Sequence, residues 1–578
     1  MESEPLLLSG NEAIAYAALD AGVSVASSYP GTPSTEITEC IASFNEIYTE
    51  WAVNEKTAFE TAMGASMAGV RAFTAMKHVG LNVASDPLMT ASYTGINGGF
   101  VLAVADDPHM YSSQNEQDSR HYARFAKLPM LEPTDSQEAY LFTLKAFEIS
   151  EKHLTPVIIR SVTRVSHTYS PVVRSKKLER KTPYFKREPA RFVMAPANAR
   201  VQRISVEKRL SELSALSAEY LEFYDRASAE LVISSGIAAA YVQEALPNAS
   251  LLKLGMVYPI PFEKIREIAS RFSKLYLIEE LDRFLERELM AEGIPIQPLP
   301  RNLCGELSPA DLKGLIAGGV PAKYSLKEKL PLRLPNMCPG CSHRGIFYAL
   351  HRLRLAVLGD IGCYTLAYMP PLSALDSCIC MGSSVCLAHG VDKASKELSR
   401  KAAAVIGDST FFHTGINGLI NAVYNKSSAT IIILDNRTTG MTGHQPNPAS
   451  GFRINGESAP KIDFEGLVRA LGVKRVVKVD PFEPDECIKA IRQETAAEEL
   501  SVIITTRPCI FAERGVIKPP LAIASGSCSG CKVCIQLSCP AISWDGVNKK
   551  ASIDALQCTG CFLCQKVCKF NAIVGESA

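Results

Sequence analysis

Apolar positions in the first third of the chain alternate between two periods. The stretch NEAIAYAALDAG (residues 11–22) spaces them as a helix does, and NEKTAFETAMGASMAGVRA (54–72) predicts a long helix of small residues. FTAMKH, GGFVLAVAD and TPVIIRS are short continuous apolar runs, the pattern of strands covered on both faces. Strand and helix in alternation predict a parallel α/β domain over residues 1–190. The basic run RSKKLERKTPYFKREPAR reads as a solvated segment leading into a linker at 191–225. AELVISSGIAAAYVQEAL, ASLLKLGMVYP and SKLYLIEEL repeat the alternation in a smaller α/β unit over 226–325. A third parallel α/β unit, 330–515, opens near PLRLPNMCPGC, contains KAAAVIGDSTFF, INGLINAVYN and ATIIILDN, and closes at TTRPC. From 520 to 578 the apolar period fades, so that segment needs another source of stability.

A chain of 578 residues exceeds what one core supports, which agrees with several domains. No apolar run is long enough to span a bilayer, and MESEPLLLSGNEA has the wrong charge for a secretory signal, so a cytoplasmic protein is expected. A net charge of +1 leaves no electrostatic footprint for nucleic acid. Cysteine changes the picture: eight of 18 fall in the last 51 residues, which in a reducing compartment argues for metal ligation.

Those eight are Cys528, Cys531, Cys534 and Cys539, followed by Pro540, then Cys558, Cys561, Cys564 and Cys568. The first three of each set are offset by 30 residues, an internal duplication. A C-x2-C-x2-C turn wraps three thiolates around one [4Fe-4S] cubane while the fourth cysteine reaches the other cluster. The spacing therefore predicts one cluster on Cys528, Cys531, Cys534 and Cys568, and another on Cys558, Cys561, Cys564 and Cys539. The segment resembles a two-cluster bacterial ferredoxin, an α+β fold, with an extra residue before Cys539 and Lys569 in place of a second proline. A pair of zinc sites would favour separated cysteine pairs instead.

Upstream, Gly407-Asp408 follows one predicted strand and Asn436 the next, with a helix between. A parallel β-α-β unit delivers both to one sheet edge, and a carboxylate with an amide oxygen suits Mg2+. Such a GD pair is also an ordinary turn. The spacing resembles the thiamine-diphosphate motif, which implies Asp408, Asn436 and the Thr438 carbonyl as metal ligands, with Gly407 and Ser409 beside the cofactor.

YPGTPSTEI, NEKTAFETAMGASMAG, FTAMKHVGLN and TRVSH together resemble the pyrimidine domain of the 2-oxoacid ferredoxin oxidoreductases. The order of pyrimidine (1–190), transketolase C-terminal-like (226–325), diphosphate (330–515) and ferredoxin (520–578) domains resembles the large subunit of the indolepyruvate type, across essentially the whole chain. The resemblance implies that Glu55 hydrogen-bonds the aminopyrimidine and that Thr32 lies near the substrate carboxylate. Read alone, Glu55 is a helix-start glutamate and Thr32 a helix cap. Where pyruvate-specific relatives place an arginine, this chain has Asp106, leaving His78, Arg120 and Arg124 as carboxylate partners. TASYTGINGG is expected to supply a small, apolar pocket wall. Cys338, Cys341, Cys363 and Cys509 match the ligands of a third [4Fe-4S] cluster, with ordinary buried cysteines as the alternative and Cys378, Cys380 and Cys386 as competing ligands. The implied reaction oxidatively decarboxylates arylpyruvates such as indolepyruvate and phenylpyruvate to aryl-acetyl-coenzyme A. Electrons pass to ferredoxin, and a smaller beta subunit completes the enzyme. The alternatives are a non-oxidative arylpyruvate decarboxylase and a non-catalytic electron-transfer subunit.

Overall fold

The computed structural model describes residues 4–299, 305–316, 334–512 and 517–575. They form two compact units, Met1–Glu328 and Lys329–Ala578. The expected boundary between the second and third α/β regions, at 325–330, lies outside the described residues.

In the first unit the buried runs become the strands Ala72–Lys77, Phe100–Asp106 and Val157–Val162 at the centre of a seven-stranded sheet. Its order is Met256–Tyr258, Met130–Leu131, Val157–Val162, Phe100–Asp106, Ala72–Lys77, Val25–Ser28, Tyr48–Trp51, parallel except at the Met256–Tyr258 edge. Helix Gly10–Asp20 starts at a capping box in which Ser9 and Glu12 satisfy each other's backbone N–H groups. A second, five-stranded sheet runs Ile296–Gln297, Lys274–Ile278, Glu230–Ser235, Ser250–Leu254, Leu221–Tyr224, the last antiparallel.

One expectation for this unit needs correction. Residues 191–225 are no linker: Pro196–Ser217 is a 22-residue helix, and Leu221–Tyr224 is an edge strand. The basic run is exposed along most of its length, as its charge predicts, but it is tied down at points. Arg174 pairs with buried Asp20 at 2.7 Å, the Leu178 N–H donates to the Asp20 carbonyl and the Tyr184 N–H to that of Ala68, so the run is strapped across the first sheet's helices.

The second unit holds a five-stranded parallel sheet ordered Ala356–Leu358, Ala402–Gly407, Thr430–Asp435, Ser501–Thr506, Arg475–Val479. Residues 517–575 contribute two short antiparallel pairs, Ala522–Ile523 with Ile573–Val574 and Ile542–Asp545 with Lys550–Ile553. Leu521, Leu537, Leu563, Val567 and Ile573 share one apolar core with Ile346, Phe347 and Leu350. The stretch IKPPLAIASG, which reads as a flexible connection to a separate module, is thus built in: Leu521 is buried and the Lys518 N–H donates to the Thr559 carbonyl. Among the described residues no helix is long and apolar enough to cross a membrane.

Candidate functional site

In the second unit, strand Ala402–Gly407 pairs in parallel with Thr430–Asp435, and the chain between them is helical. Asp408 and Asn436 therefore emerge at the carboxyl edge of neighbouring strands, both buried, as are Ser409 and Thr438. Gly407 fits beneath Tyr364, whose hydroxyl accepts its N–H at 2.9 Å. Asp408 accepts from the Ser409 N–H (2.6 Å) and from Asn447 (3.2 Å). Burial, reinforced by the Asp435 carboxylate, pushes the Asp408 carboxyl up to about 7. The Asn436 amide can be turned either way. With nitrogen inward it donates to the Thr438 carbonyl at 2.9 Å and Asp408 Oδ2 at 3.2 Å. With oxygen inward, its nitrogen faces His343 Nε2 at 3.4 Å, and three oxygens then converge, the donor set that a hard divalent cation takes. Burial lowers His343 to about 4, so its ring is neutral and can accept that bond.

The cysteines gather in three places. One cavity is walled by Cys528, Cys531, Cys534 and Cys568, a second by Cys539, Cys558, Cys561 and Cys564. The third place is the loop at Cys338 and Cys341 with Cys363 and Cys509. Cys363 feels the charges of Cys509 and Cys338, and Cys341 those of Cys363 and Cys338, while burial pushes Cys341 up to about 12 and Cys363 to about 11. Among the described residues no three cysteine sulfurs come within 4.8 Å of one another, whereas tetrahedral zinc would draw them to about 3.8 Å. Of the competitors, Cys378 donates to the Asp360 carbonyl (3.6 Å), Cys386 borders Gly418, and both lie near Cys380.

The two kinds of site in this unit touch. The Cys509 N–H donates to the Asn436 carbonyl at 2.9 Å, and a Cβ on Gly440 would lie 3.3 Å from Cys363 Sγ and 3.9 Å from Asn436 Nδ2.

In the first unit, Glu55 opens helix Glu55–Met67 behind the Asn54 cap and is buried. A Cβ on Gly80 would meet Glu55 Oε1 at 2.5 Å, so only glycine leaves the carboxylate its place. Thr32 is not the cap of the following helix; Ser34 stands there, and the Thr32 carbonyl accepts from Ser112 Oγ (3.2 Å). Among the substituted carboxylate partners, Arg120 is consumed by Asp118 and Glu279 (2.6 Å), and Arg124 is exposed beside Glu288. Asp106 binds Arg160 at 2.7 Å. His78 is buried, its Nε2 3.3 Å from the Asn115 carbonyl. TASYTGINGG precedes strand Phe100–Asp106, which puts it at the edge opposite the strands' carboxyl ends, so it is packing and no pocket wall.

Sequence reasoning passed over Lys77, the last residue of its strand. Its ammonium donates to the Ser112 carbonyl (2.6 Å) and Ser112 Oγ (3.2 Å), lies 3.8 Å from Asp107, and is lowered by burial to about 8. It also passed over Asp360, in a second Gly-Asp pair, which accepts three backbone N–H groups at 2.9 Å and fixes the turn into helix Ser383–Ala394. The GD pattern in GDIGC was the available signal.

A family described as pyruvate flavodoxin/ferredoxin oxidoreductase, thiamine diphosphate-binding, matches residues 16–214, and the thiamine pyrophosphate enzyme C-terminal TPP-binding domain matches 360–505. Indolepyruvate oxidoreductase subunit IorA of Methanothermobacter thermautotrophicus is 40% identical, the alignment covering 100% of this chain and 98% of the relative. The chain belongs to the IorA family. IorA of Pyrococcus abyssi is 39% identical over 98% of this chain and 96% of its own. A solved 2-oxoglutarate:ferredoxin oxidoreductase from Magnetococcus marinus is 17% identical with a TM-score of 0.47, covering 55% of this chain and 65% of that one. The 16–214 match takes in Thr32, Glu55 and most of helix Pro196–Ser217, and the 360–505 match takes in Asp408 and Asn436.

Proposed function

We propose that this chain oxidatively decarboxylates arylpyruvates, indolepyruvate among them, to aryl-acetyl-coenzyme A with ferredoxin as electron acceptor, in a complex with a smaller beta subunit. The observation that carries the reading is the contact between the oxygen set of Asp408, Asn436 and Thr438 and the cysteine set of Cys338, Cys341, Cys363 and Cys509. A non-oxidative decarboxylase has no use for that adjacency, and an electron carrier without catalysis has none for the oxygen set.

Asp408, Asn436 and the Thr438 carbonyl would hold Mg2+ and, through it, the diphosphate, with Gly407 and Ser409 lining it. Bound thiamine diphosphate supplies the means of taking up the electron pair released at the 2-oxo carbon. Glu55 would hold and move a proton at the pyrimidine, and Thr32 with Lys77 would receive the substrate carboxylate. Lys77 directs N–H groups to Ser112 and lies 3.8 Å from the Asp107 carboxylate, which keeps a cation at this strand end. The Cys528 and Cys539 sets would each carry a [4Fe-4S] cluster in a ferredoxin-like fold, and the Cys338 set a third, all compatible with a reducing cytoplasm.

The test is the purified two-subunit enzyme assayed with a panel of 2-oxoacids and coenzyme A. The expected products are an aryl-acetyl-coenzyme A and two reduced ferredoxins per turnover. Free aryl-acetaldehyde without ferredoxin reduction would replace this reading with the non-oxidative one, and equal specificity constants for pyruvate and indolepyruvate would remove the arylpyruvate assignment.

A further inference from the structure

Helix Arg344–Leu353 begins with a guanidinium that is 2% exposed and that fastens two cysteine loops at once. Its Nε and Nη2 donate to the Cys338 carbonyl, each at 3.1 Å, and Nη2 also donates to Met337. On the other side Nη1 donates to the carbonyls of Leu537 (2.9 Å) and Ser538, the two residues before Cys539. Among the described residues no carboxylate pairs with it; its ionisable neighbours are the thiols of Cys341, Cys539, Cys338 and Cys561. A buried guanidinium facing only carbonyls is costly unless an anion shares its surroundings. Both neighbouring sites would supply one, since a cubane with four thiolates is anionic.

The two loops also approach closely. Gly340, at φ +72°, would place a Cβ 2.4 Å from Thr559 Oγ1, and Pro339, Gly340 and Arg344 line the cavity walled by Cys539, Cys558, Cys561 and Cys564. No residue of that loop lines the cavity of Cys528, Cys531, Cys534 and Cys568.

We propose that Arg344 is the shared counter-charge of the Cys338 and Cys539 clusters, raising the reduction potential of both. The proposal rests on the cluster reading above. Arg344 touches no reacting atom and acts as a positioning residue.

The experiment is an anaerobic redox titration, followed by electron paramagnetic resonance, of the two-subunit holoenzyme carrying Arg344→Gln, with iron counted per chain. The expected result is about 12 irons, with two cluster signals shifted to lower potential and the third unmoved. About 12 irons with all three potentials unchanged overturns the role of Arg344 alone. A wild-type preparation with about 8 irons removes the Cys338 cluster, and the shared role with it. Should Arg344→Gln fail to hold iron, Arg344→Lys decides the matter. Full iron with wild-type potentials supports the charge, whereas full iron with lowered potentials, or loss of iron there too, overturns it.

Discussion

Gly80 limits what Glu55 can do. With 2.5 Å between a would-be Cβ and Glu55 Oε1, the carboxylate is held where the helix starts, and replacing it by an amide of the same shape should leave the packing intact. Glu55→Gln should therefore keep thiamine diphosphate bound, measured by equilibrium titration, while turnover falls by about 10²- to 10⁴-fold; near-normal turnover would remove the assignment. Asp408→Ala should instead lose Mg2+ and thiamine diphosphate together. Lys77→Met should raise KM for the 2-oxoacid by about ten- to a hundred-fold, the worth of one charge-assisted hydrogen bond, with cofactor binding unchanged; an unaltered KM would move the carboxylate site elsewhere. Spacing along the chain was enough to group the tail cysteines and to bring Asp408 and Asn436 to one sheet edge. It could not carry Lys77 or the loss of Arg120, since which cation stays available depends on partners as distant as Glu279.

At the scale of elements, the parallel strands were legible because continuous apolar runs fill both faces. Helix Pro196–Ser217 was not: its buried positions are Val206, Arg209, Leu213 and Ser217, so the helical stripe is half polar and shows no apolar period. The short strand Met256–Tyr258 reads as part of the second sheet yet pairs in the first, a choice made by packing. The same unit buries Arg120 and Arg160 among Asp106, Asp118, Glu132, Glu279 and Glu280. Glu280 accepts the Leu307 N–H at 3.0 Å, and burial, with Glu306 and Glu132 adding, pushes its carboxyl from an ordinary 4.5 to about 7. The folded state thus holds that proton more tightly than the unfolded chain. Its stabilisation is complete below 4.5 and is lost as pH rises through about 7, amounting to as much as about 3 kcal/mol. Glu280→Gln should flatten the fall in melting temperature between pH 5 and pH 8 and melt above the wild type at pH 8. Parallel falls in the two proteins would show that another group titrates.

At the scale of the molecule, the cysteine-rich tail reads from sequence as an appended module because its own residues lack an apolar period. The structure shows where its apolar residues go. Leu521, Leu537, Leu563, Val567 and Ile573 close the core that Ile346, Phe347 and Leu350 begin, and Arg344 ties the same regions through backbone carbonyls. Fully burying one such apolar side chain is worth about 1.5–3 kcal/mol, so five of them are comparable with the whole stability of a typical domain, about 5–15 kcal/mol. Ending the chain at residue 516 should consequently do more than cut the electron path. The shortened subunit should lose thiamine diphosphate binding and aggregate or melt well below the wild type, as judged by size-exclusion chromatography and thermal unfolding. A shortened subunit that stays monodisperse, binds thiamine diphosphate and melts near the wild type would show that the diphosphate region stands without the tail, and that the shared core contributes little to holding it together.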